Sequence, residues 1–349
     1  MNPLKLLGEK WNPPAEVKKS FEGQVVLVTG ANTGLGLEAA KKVAALGADK
    51  LIVTTRSEAK GEATKSQIKQ WLADTKRPER TEIIHIVLDM GSSTGVKAFM
   101  EGLNSTSNKL DAAILNAGMN TPEYRTSPEG FEEVLQVNTI STVFLATLLL
   151  PLLTATAKSS KTQTHLTFSS SRNATLGASF PKDQSTLSSS TPLKEMSQPQ
   201  RLPAGIAGGL ASYGRSKLML EYAMRRMVYL PALRSTDAKP SVIINSVCPG
   251  MTKSDLGRNY KHWAVRVFAQ VLFVVFAKSA EAGANAYLQA LTQGEESMGQ
   301  LWAAGHFVEE WDALRSEQGR RLGDTVWEEM KALMQGWDGS VAEILDQKV

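Results

Sequence analysis

Tyr213 and Lys217 stand four positions apart in the segment Tyr213-Gly214-Arg215-Ser216-Lys217. On a helix, this spacing places the two side chains one above the other on a single face. A phenol has an ordinary pKa of about 10, and a nearby ammonium group lowers that pKa by favouring the phenolate. The pair is therefore a candidate proton donor or acceptor for a carbonyl/alcohol couple. Taken alone, the pair is more typical of a packed ring beside a solvated charge, and only the rest of the chain supports a catalytic role.

A glycine-rich turn follows the first apolar run of the chain, Gln24–Thr29. The turn reads GANTGLG over residues 30–36, with glycines at Gly30, Gly34 and Gly36. Glycines at such a position let the backbone approach a pyrophosphate, which rests on the N-terminus of the following helix. The spacing is G-x-x-x-G-x-G rather than G-x-G-x-x-G, but its place after an N-terminal strand favours a dinucleotide site over a purely structural turn.

The end of the second predicted strand bears on which dinucleotide is bound. An NAD-selective site places Asp or Glu there, to hold the ribose 2′-hydroxyl. Here the chain reads Thr54-Thr55-Arg56-Ser57, and the first carboxylate is Glu58. The planar guanidinium of Arg56 suits a 2′-phosphate, although it is also compatible with an ordinary surface arginine. The sequence thus favours NADP(H) over NAD(H).

Strand and helix patterns alternate along the chain. Predicted strands are Gln24–Thr29, Lys50–Thr55, Glu82–Leu88, Leu110–Leu115, Thr164–Ser169, Val242–Val247 and Gln300–Phe307. Predicted helices are Leu37–Leu46, Glu58–Asp74, Thr94–Leu103, Phe131–Leu153, Ala211–Leu230 and Ser279–Thr292. Such alternation predicts βαβ units and hence an α/β fold, a single doubly wound Rossmann domain with a parallel sheet and helices on both faces.

The sequence divides into an N-terminal surface arm (1–20), a dinucleotide-binding catalytic domain (21–310) and a C-terminal helical tail (311–349). Within the domain, residues 173–209 form an inserted loop that is either a wall over the site or partly disordered. Residues 255–280 form a predicted substrate lid. Its apolar stretch, HWAVRVFAQVLFVVFAK, is shorter than the about 20 residues that span a bilayer, so we expect a packing helix rather than membrane contact.

Composition excludes several classes of function. The 349 residues include 39 basic and 35 acidic ones, and the net charge of +4 comes without a Lys/Arg block, which argues against a nucleic-acid partner. Cys248 is the only cysteine, so no intramolecular disulfide forms, and we expect a reducing, cytoplasmic location. The four histidines have no metal-ligand spacing, and no metal site is predicted.

Several motifs occur together in chain order. They are the glycine turn, Asn116-Ala117-Gly118, Asn138, the serines after the fifth strand, the Tyr213/Lys217 pair and Pro249-Gly250. The combination resembles the short-chain dehydrogenase/reductase family over roughly residues 20–310. The phrases GANTGLGLEAA, AILNAG and VWEEMKAL are similar to its retinol-dehydrogenase-like branch, especially filamentous-fungal members. Many of those resemble tailoring enzymes of secondary-metabolite pathways.

The resemblance implies four catalytic residues. Tyr213 exchanges a proton with the substrate oxygen, and Lys217 holds the ribose hydroxyls and lowers the pKa of the tyrosine. Ser170 donates a hydrogen bond to the reacting oxygen; the family register selects it over Ser169 and Ser171. Asn138 binds water in a proton relay with Lys217, a role that is compatible with an amide bonded to a backbone carbonyl.

The resemblance also implies a set of cofactor-binding residues. Asn116 braces the sheet, Asp89 contacts adenine unless it caps the following helix, and Thr252 bonds the nicotinamide carboxamide. The full set is Gly30, Asn32, Thr33, Gly34, Leu35, Gly36, Arg56, Asp89, Asn116, Ala117, Gly118, Tyr213, Lys217, Pro249, Gly250 and Thr252.

The expected activity is NADPH-dependent reduction of a bulky apolar ketone or aldehyde. Oxidation of an alcohol is the nearest alternative, and a non-redox cyclase, isomerase or regulatory binder that keeps the cofactor pocket is another. A membrane-surface retinoid-type enzyme is a third. Family members are often dimers or tetramers, while this branch includes monomers. Tyr213 follows Ser170 by 43 positions, a longer interval than most of the family shows, which indicates a loop over the cleft.

Overall fold

The computed structural model describes residues 3–175, 181–202, 205–233, 239–257, 259–260, 270 and 272–346. Parts of the predicted inserted loop (176–180 and 203–204) lie outside the described residues. So does most of the predicted lid helix (261–269 and 271), together with His262.

An eight-stranded sheet lies at the centre. Its strands are β1 Val25–Val28, β2 Lys50–Thr55, β3 Glu82–Val87, β4 Ala112–Leu115, β5 Thr164–Ser169, β6 Val242–Cys248, β7 Leu301–Ala303 and β8 His306–Phe307. Their order across the sheet is β3-β2-β1-β4-β5-β6-β7-β8. Strands β1 to β7 pair in parallel, and only the β7–β8 pair is antiparallel among the described strands. The predicted doubly wound α/β fold is confirmed.

The predicted last strand, Gln300–Phe307, is instead a hairpin of β7 and β8. Ala304 and Gly305 both adopt positive φ, 52° and 83°, and they reverse the chain in a tight turn. The rings of Trp302 and Phe307 meet edge to face across the hairpin, 5.0 Å apart. A continuous apolar run does not reveal this reversal.

Helices cover both faces of the sheet. They are α1 Pro3–Trp11, α2 Gly34–Ala45, α3 Glu58–Asp74, α4 Ser93–Thr106, α5 Glu133–Ser160, α6 Gln184–Leu187, α7 Pro192–Met196, α8 Gly205–Met227, α9 Ala280–Leu291, α10 Asp312–Arg315, α11 Glu317–Trp337 and α12 Ser340–Asp346. A hydrophobic core lies on each face of the sheet. Alternate side chains of β1 pack into one core or the other, because successive residues of a strand point to opposite faces. Val25 and Leu27 pack with α4, α5, α8 and α11, whereas Val26 and Val28 pack with α2, α3 and α9.

Helix α5 runs through the larger core. It is the one helix in the described part of the chain that is long and apolar enough to cross a membrane, and 72% of its most apolar window is buried inside the protein. Phe144, Leu145 and Leu149 are completely buried. The helix widens into a π-helical segment at Gln136–Ile140, near the site described below.

The C-terminal tail is integrated into that core. Met330 and Met334 of α11 are completely buried, and the ring of Trp337 meets Phe144 of α5 edge to face at 5.4 Å. Glu329 accepts hydrogen bonds from the backbone N–H groups of Leu193 (2.6 Å) and Lys194 (3.0 Å) at the start of α7. The tail therefore holds the inserted segment in place.

The N-terminal arm also packs against the domain. Its helix α1 is followed by an extended segment along α9, where Asn285 and Gln289 donate hydrogen bonds to the carbonyls of Pro14 and Ala15, each 2.9 Å long. The arm is thus an ordered layer on the domain rather than a loose surface extension.

Candidate active site

A cleft of about 890 Å³ opens at the carboxyl ends of the parallel strands. It lies where the strand order reverses, between β1 and β4, which is the usual ligand site of doubly wound folds. The sequence-predicted residues that line it are Gly30, Asn32, Thr33, Gly34, Leu35, Gly36, Arg56, Asp89, Asn116, Ala117, Gly118, Ser170, Tyr213, Lys217, Pro249, Gly250 and Thr252. Asn138 lies behind this wall and does not line the cleft.

The glycine turn packs tightly against the loop after β4. Gly30 and Gly34 have positive φ, 64° and 56°. A Cβ on Gly36 would lie 2.4 Å from both the Gly30 carbonyl oxygen and Asn116 Nδ2, so only glycine fits there. Helix α2 begins at Gly34, earlier than the predicted start at Leu37, and the last two glycines therefore belong to its first turn. Their backbone N–H groups face the place where a helix N-terminus binds phosphate.

Asn116 braces the sheet at this point, as predicted for a residue beside the cofactor. Its Nδ2 donates hydrogen bonds to the carbonyls of Thr29 (2.9 Å) and Gly30 (3.1 Å). Its Oδ1 accepts a 3.0 Å hydrogen bond from the hydroxyl of Tyr287, which in turn contacts Ser169 Oγ at 2.7 Å. Burial raises the pKa of Tyr287, which keeps this hydroxyl a donor. Sequence reasoning missed Tyr287, because nothing distinguishes it within the apolar pattern of α9.

The three serines after β5 have different surroundings. Ser169 Oγ is engaged by Tyr287. Ser170 Oγ is buried and has no hydrogen-bond partner among the described residues, and the residue lines the cleft. Ser171 hydrogen-bonds the side chain of Tyr213 and accepts a 3.1 Å hydrogen bond from the Asn173 backbone. Ser170 is thus the serine with an unused donor, while Ser171 is a contact that the sequence did not indicate.

Tyr213 and Lys217 lie on α8, one turn apart. Lys217 Nζ lies 5.7 Å from the centroid of the Tyr213 ring and donates a 2.8 Å hydrogen bond to the carbonyl of Ser169. Burial lowers the pKa of Lys217 to about 8, against the opposing effect of the Glu221 charge. Burial raises the pKa of Tyr213, and the hydrogen bond with Ser171 opposes the rise only in part.

The lowered tyrosine pKa expected from the four-residue spacing is therefore wrong for the chain alone. Desolvation disfavours the phenolate of Tyr213 more than the protein's own groups favour it. The ammonium of Lys217 is directed at the Ser169 carbonyl, next to the ring rather than at the phenol oxygen. The neutral phenol is the stable form, which makes the tyrosine an acid.

Asn138 joins two walls of the site from within the π-helical segment of α5. Its Oδ1 accepts a 2.8 Å hydrogen bond from the Met119 backbone, and its Nδ2 donates to the Met119 carbonyl (2.9 Å) and to Ser216 Oγ (3.0 Å). A Cβ on Gly118 would lie 3.1 Å from Asn138 Oδ1 and 3.8 Å from Lys217 Nζ. The Asn138 amide therefore bonds a backbone carbonyl, that of Met119. Its role in a water relay stays a prediction.

Two charged residues, Arg56 and Asp89, line the cleft near the ends of β2 and β3. Arg56 is exposed after β2 and makes no ion pair within the described residues. The first carboxylate after it, Glu58, contacts His85 Nδ1 at 3.1 Å. Asp89 lies at the end of β3 and accepts a hydrogen bond from the Gly91 backbone. The alternative that Asp89 caps α4 is wrong, since Ser92 is the capping residue.

The opposite end of the cleft is apolar. Its walls come from the start of α8 and from the segment after β6, with the side chains Ile206, Leu210, Met251, Leu256, Leu272 and Phe273. Ile206 and Leu210 remain 45% and 54% exposed, as large apolar side chains do where a ligand covers them. Thr252 lies between the two ends, buried, with its hydroxyl 3.3 Å from the Gly250 carbonyl.

Comparisons with known proteins place this chain among related sequences and folds. Residues 24–177 match the sequence model of the short chain dehydrogenase family. The chain is 33% identical to the short-chain dehydrogenase/reductase ffsI of Aspergillus flavipes, over 96% of this chain and 93% of that protein. It shares its fold with L-sorbose reductase of Gluconobacter frateurii in complex with NADPH and L-sorbose (TM-score 0.57, 17% identity, 83% and 97% of the two chains covered). A 3-ketoacyl-(acyl-carrier-protein) reductase of Brucella melitensis, complexed with NADH, is similar in fold (TM-score 0.55, 19% identity, 81% and 97% covered).

Proposed function

Because the chain belongs to the short-chain dehydrogenase family, a family of oxidoreductases that use NAD(P)(H), we propose that it is an NADPH-dependent carbonyl reductase. One observation carries the proposal. Ser170 Oγ, a buried donor with no partner among the described residues, lines the same cleft as Tyr213 and Lys217. An unmet buried hydroxyl costs about 1–3 kcal/mol, and a substrate oxygen would satisfy it.

The cleft residues fit a nicotinamide dinucleotide. The first turn of α2 presents backbone N–H groups to a pyrophosphate, and a Cβ at Gly36 would close that approach. Asp89 and Thr252 also line the cleft, and we propose that they bind the adenine and the nicotinamide carboxamide, as the resemblance implies. When bound, NADPH supplies the hydride for the reduction.

The protein's own groups would then handle the carbonyl oxygen. Ser170 donates a hydrogen bond to that oxygen and stabilises the charge that develops on it. Tyr213 gives it a proton, and its raised pKa keeps the phenol protonated until that step. Lys217, whose pKa is about 8, is mostly an ammonium at neutral pH and favours the phenolate that remains. A protonated phenol suits reduction better than alcohol oxidation, which needs a base.

Arg56 supports NADPH as the preferred cofactor. Its guanidinium is exposed at the rim of the cleft, and no carboxylate occupies the position that would bind a ribose 2′-hydroxyl. A planar fork of N–H donors suits a 2′-phosphate. We therefore place the 2′-phosphate of NADPH against Arg56.

The apolar end of the cleft supports a bulky, apolar ketone or aldehyde as substrate. Large apolar side chains such as Leu210 and Phe273 line it. Similarity to a fungal short-chain dehydrogenase/reductase is consistent with a tailoring step in fungal secondary metabolism. We propose a cytoplasmic enzyme, acting without nucleic acid and as a monomer or homodimer.

The decisive experiment compares metabolites of the native host with those of the same host carrying Tyr213→Phe. An accumulating ketone and a missing alcohol would support the reductase and identify its substrate. An accumulating alcohol would reverse the direction but keep the mechanism. An unchanged profile, with the variant folded and the native enzyme expressed, would overturn the role of Tyr213 and favour a non-redox function.

A further inference from the structure

Glu9 of α1 forms a bidentate ion pair with Arg172. Its Oε1 and Oε2 accept from Arg172 Nη1 (2.6 Å) and Nη2 (2.5 Å), and the side chains of Glu9 and Arg172 are only 10% and 16% exposed. The Lys278 ammonium adds a second positive charge near the same carboxylate, and this residue is 5% exposed. One largely buried carboxylate thus faces two cations, the largely buried Arg172 and the buried Lys278.

The cluster lies against the wall of the cleft, beside the segments that follow β5 and β6. Arg172 lines the cleft two positions after Ser170, and a Cβ on Gly250 would lie 2.9 Å from Glu9 Oε2 and 3.0 Å from Lys278 Nζ. Lys278 Nζ also donates a 2.9 Å hydrogen bond to the carbonyl of Pro249. Glu9 therefore touches the segments that follow both β5 and β6.

Helix α1 makes a second contact with the segment that ends at Lys278. Lys10 Nζ donates to the carbonyls of Val274 (2.5 Å) and Val275 (3.1 Å). Lys278 in turn pairs through its backbone with the strand-like segment after β6, where its N–H donates to Met251 and its carbonyl accepts from Lys253. Two adjacent residues of α1 thus interact with this segment: Glu9 with the Lys278 side chain, and Lys10 with the carbonyls of Val274 and Val275.

The surroundings of Glu9 favour its charged form. Burial raises the pKa of Glu9, but the Arg172 hydrogen bond and the charges of Arg172 and Lys278 outweigh burial and hold that pKa below its usual value. Removing one partner of a buried ion pair leaves an uncompensated charge, which is strongly unfavourable. Without Glu9, the two cations would repel each other at the edge of the cleft.

We propose that α1 forms part of the active-site wall. Glu9 is the positioning residue, and it fixes Arg172 and Lys278 at the edge of the cleft. The proposal extends the proposed function, but it does not depend on it: the wall is built in this way whatever reaction the cleft performs. Residues remote from the nucleotide motifs would then determine the shape of the substrate end.

The test is amide hydrogen exchange in the full-length chain, which needs neither substrate nor turnover. Glu9→Gln removes the charge and keeps the shape. Glu16→Gln is the matched control, because this carboxylate lies on the same arm and pairs with Lys42 at 3.4 Å, away from the cleft. Arg172→Gln, alone and combined with Glu9→Gln, tests whether the two residues act as one unit.

We expect the amides of Lys253 and Lys278 to exchange at least about tenfold faster in Glu9→Gln than in the wild type and in Glu16→Gln. The double variant should exchange no faster than Glu9→Gln alone, while buried amides of β1 keep their wild-type rates. Unchanged exchange at Lys253 and Lys278 would overturn the proposal. An equal acceleration of all amides, β1 included, would also overturn it, because that result indicates a general loss of stability.

Discussion

Lys217 Nζ donates a 2.8 Å hydrogen bond to the main-chain carbonyl of Ser169, and this contact ties α8 directly to the end of β5. The 43 positions between Ser170 and Tyr213 therefore do not set the distance between their side chains. The inserted segment begins after β5 and ends at α8, and the Lys217–Ser169 hydrogen bond joins these two elements directly. A long interval in the sequence is thus compatible with a compact site.

Replacing the two cleft serines separately should distinguish their roles. Ser170→Ala should lower kcat by about 10²–10³, since it removes the donor placed for the reacting oxygen. Ser171→Ala should lower kcat less than about tenfold, because it removes only a neutral hydrogen bond to Tyr213. Steady-state kinetics on the substrate found by metabolite comparison measures both. A larger loss in Ser171→Ala would exchange the two assignments.

Arg56→Ala should weaken NADPH binding by roughly tenfold to a hundredfold, the range expected for losing a charged hydrogen bond of about 1.5–3 kcal/mol. Affinity for NADH should change little, since it lacks the 2′-phosphate. Nicotinamide fluorescence titration measures both dissociation constants. Lys60→Ala, an exposed cation on α3, is the control and should alter neither. Equal losses for NADPH and NADH would place Arg56 away from the 2′-phosphate.

Gly36→Ala should disrupt the turn that faces the pyrophosphate. The new methyl group would meet Gly30 O and Asn116 Nδ2 at 2.4 Å, so the turn must shift. Overpacking of this kind costs about 1–3 kcal/mol, and we expect weaker NADPH binding with it. Gly336→Ala on α11 has open space around it and should keep full stability and affinity. Thermal unfolding and NADPH titration of both variants would show whether the close packing is real.

The half-buried His165 should make the protein less stable in mild acid. Burial lowers its pKa from the ordinary 6.5 to about 4, so the folded chain stays neutral where the unfolded chain already takes up a proton. The free energy of unfolding therefore falls as the pH drops from about 6.5 to 4, by no more than about 3 kcal/mol. Urea unfolding across this range should show the decline in wild type and a weaker one in His165→Gln. The exposed His306→Gln should retain the wild-type curve.

Local patterns were sufficient to predict much of the fold. The bounds of β2, α3 and β5 agree with the predicted stretches, because burial on both faces gives β-branched runs and exposure gives a polar helix face. The cleft also collects the predicted cofactor motifs, since the carboxyl ends of parallel strands meet at one edge.

Apart from the β7–β8 hairpin, the contacts that the sequence did not reveal are mostly long-range. Glu9 and Arg172 are 163 positions apart, and Tyr287 contacts Asn116 across 171. No periodicity or spacing relates such pairs, and each residue has an ordinary local sequence. The raised pKa of Tyr213 could not be predicted for the same reason, because it results from burial by elements that are distant in the sequence.

The Glu329 carboxylate limits how the inserted segment and the C-terminal tail can change independently in evolution. It satisfies two backbone donors of the inserted segment, so the insertion and the tail depend on each other. A chain with the insertion but without the tail would leave the buried N–H of Leu193 and the half-buried N–H of Lys194 without this acceptor. A chain with the tail but without the insertion would leave the Glu329 carboxyl buried without these two donors. We therefore expect an exchange of the insertion between homologues to succeed only when Glu329 of the tail is exchanged with it.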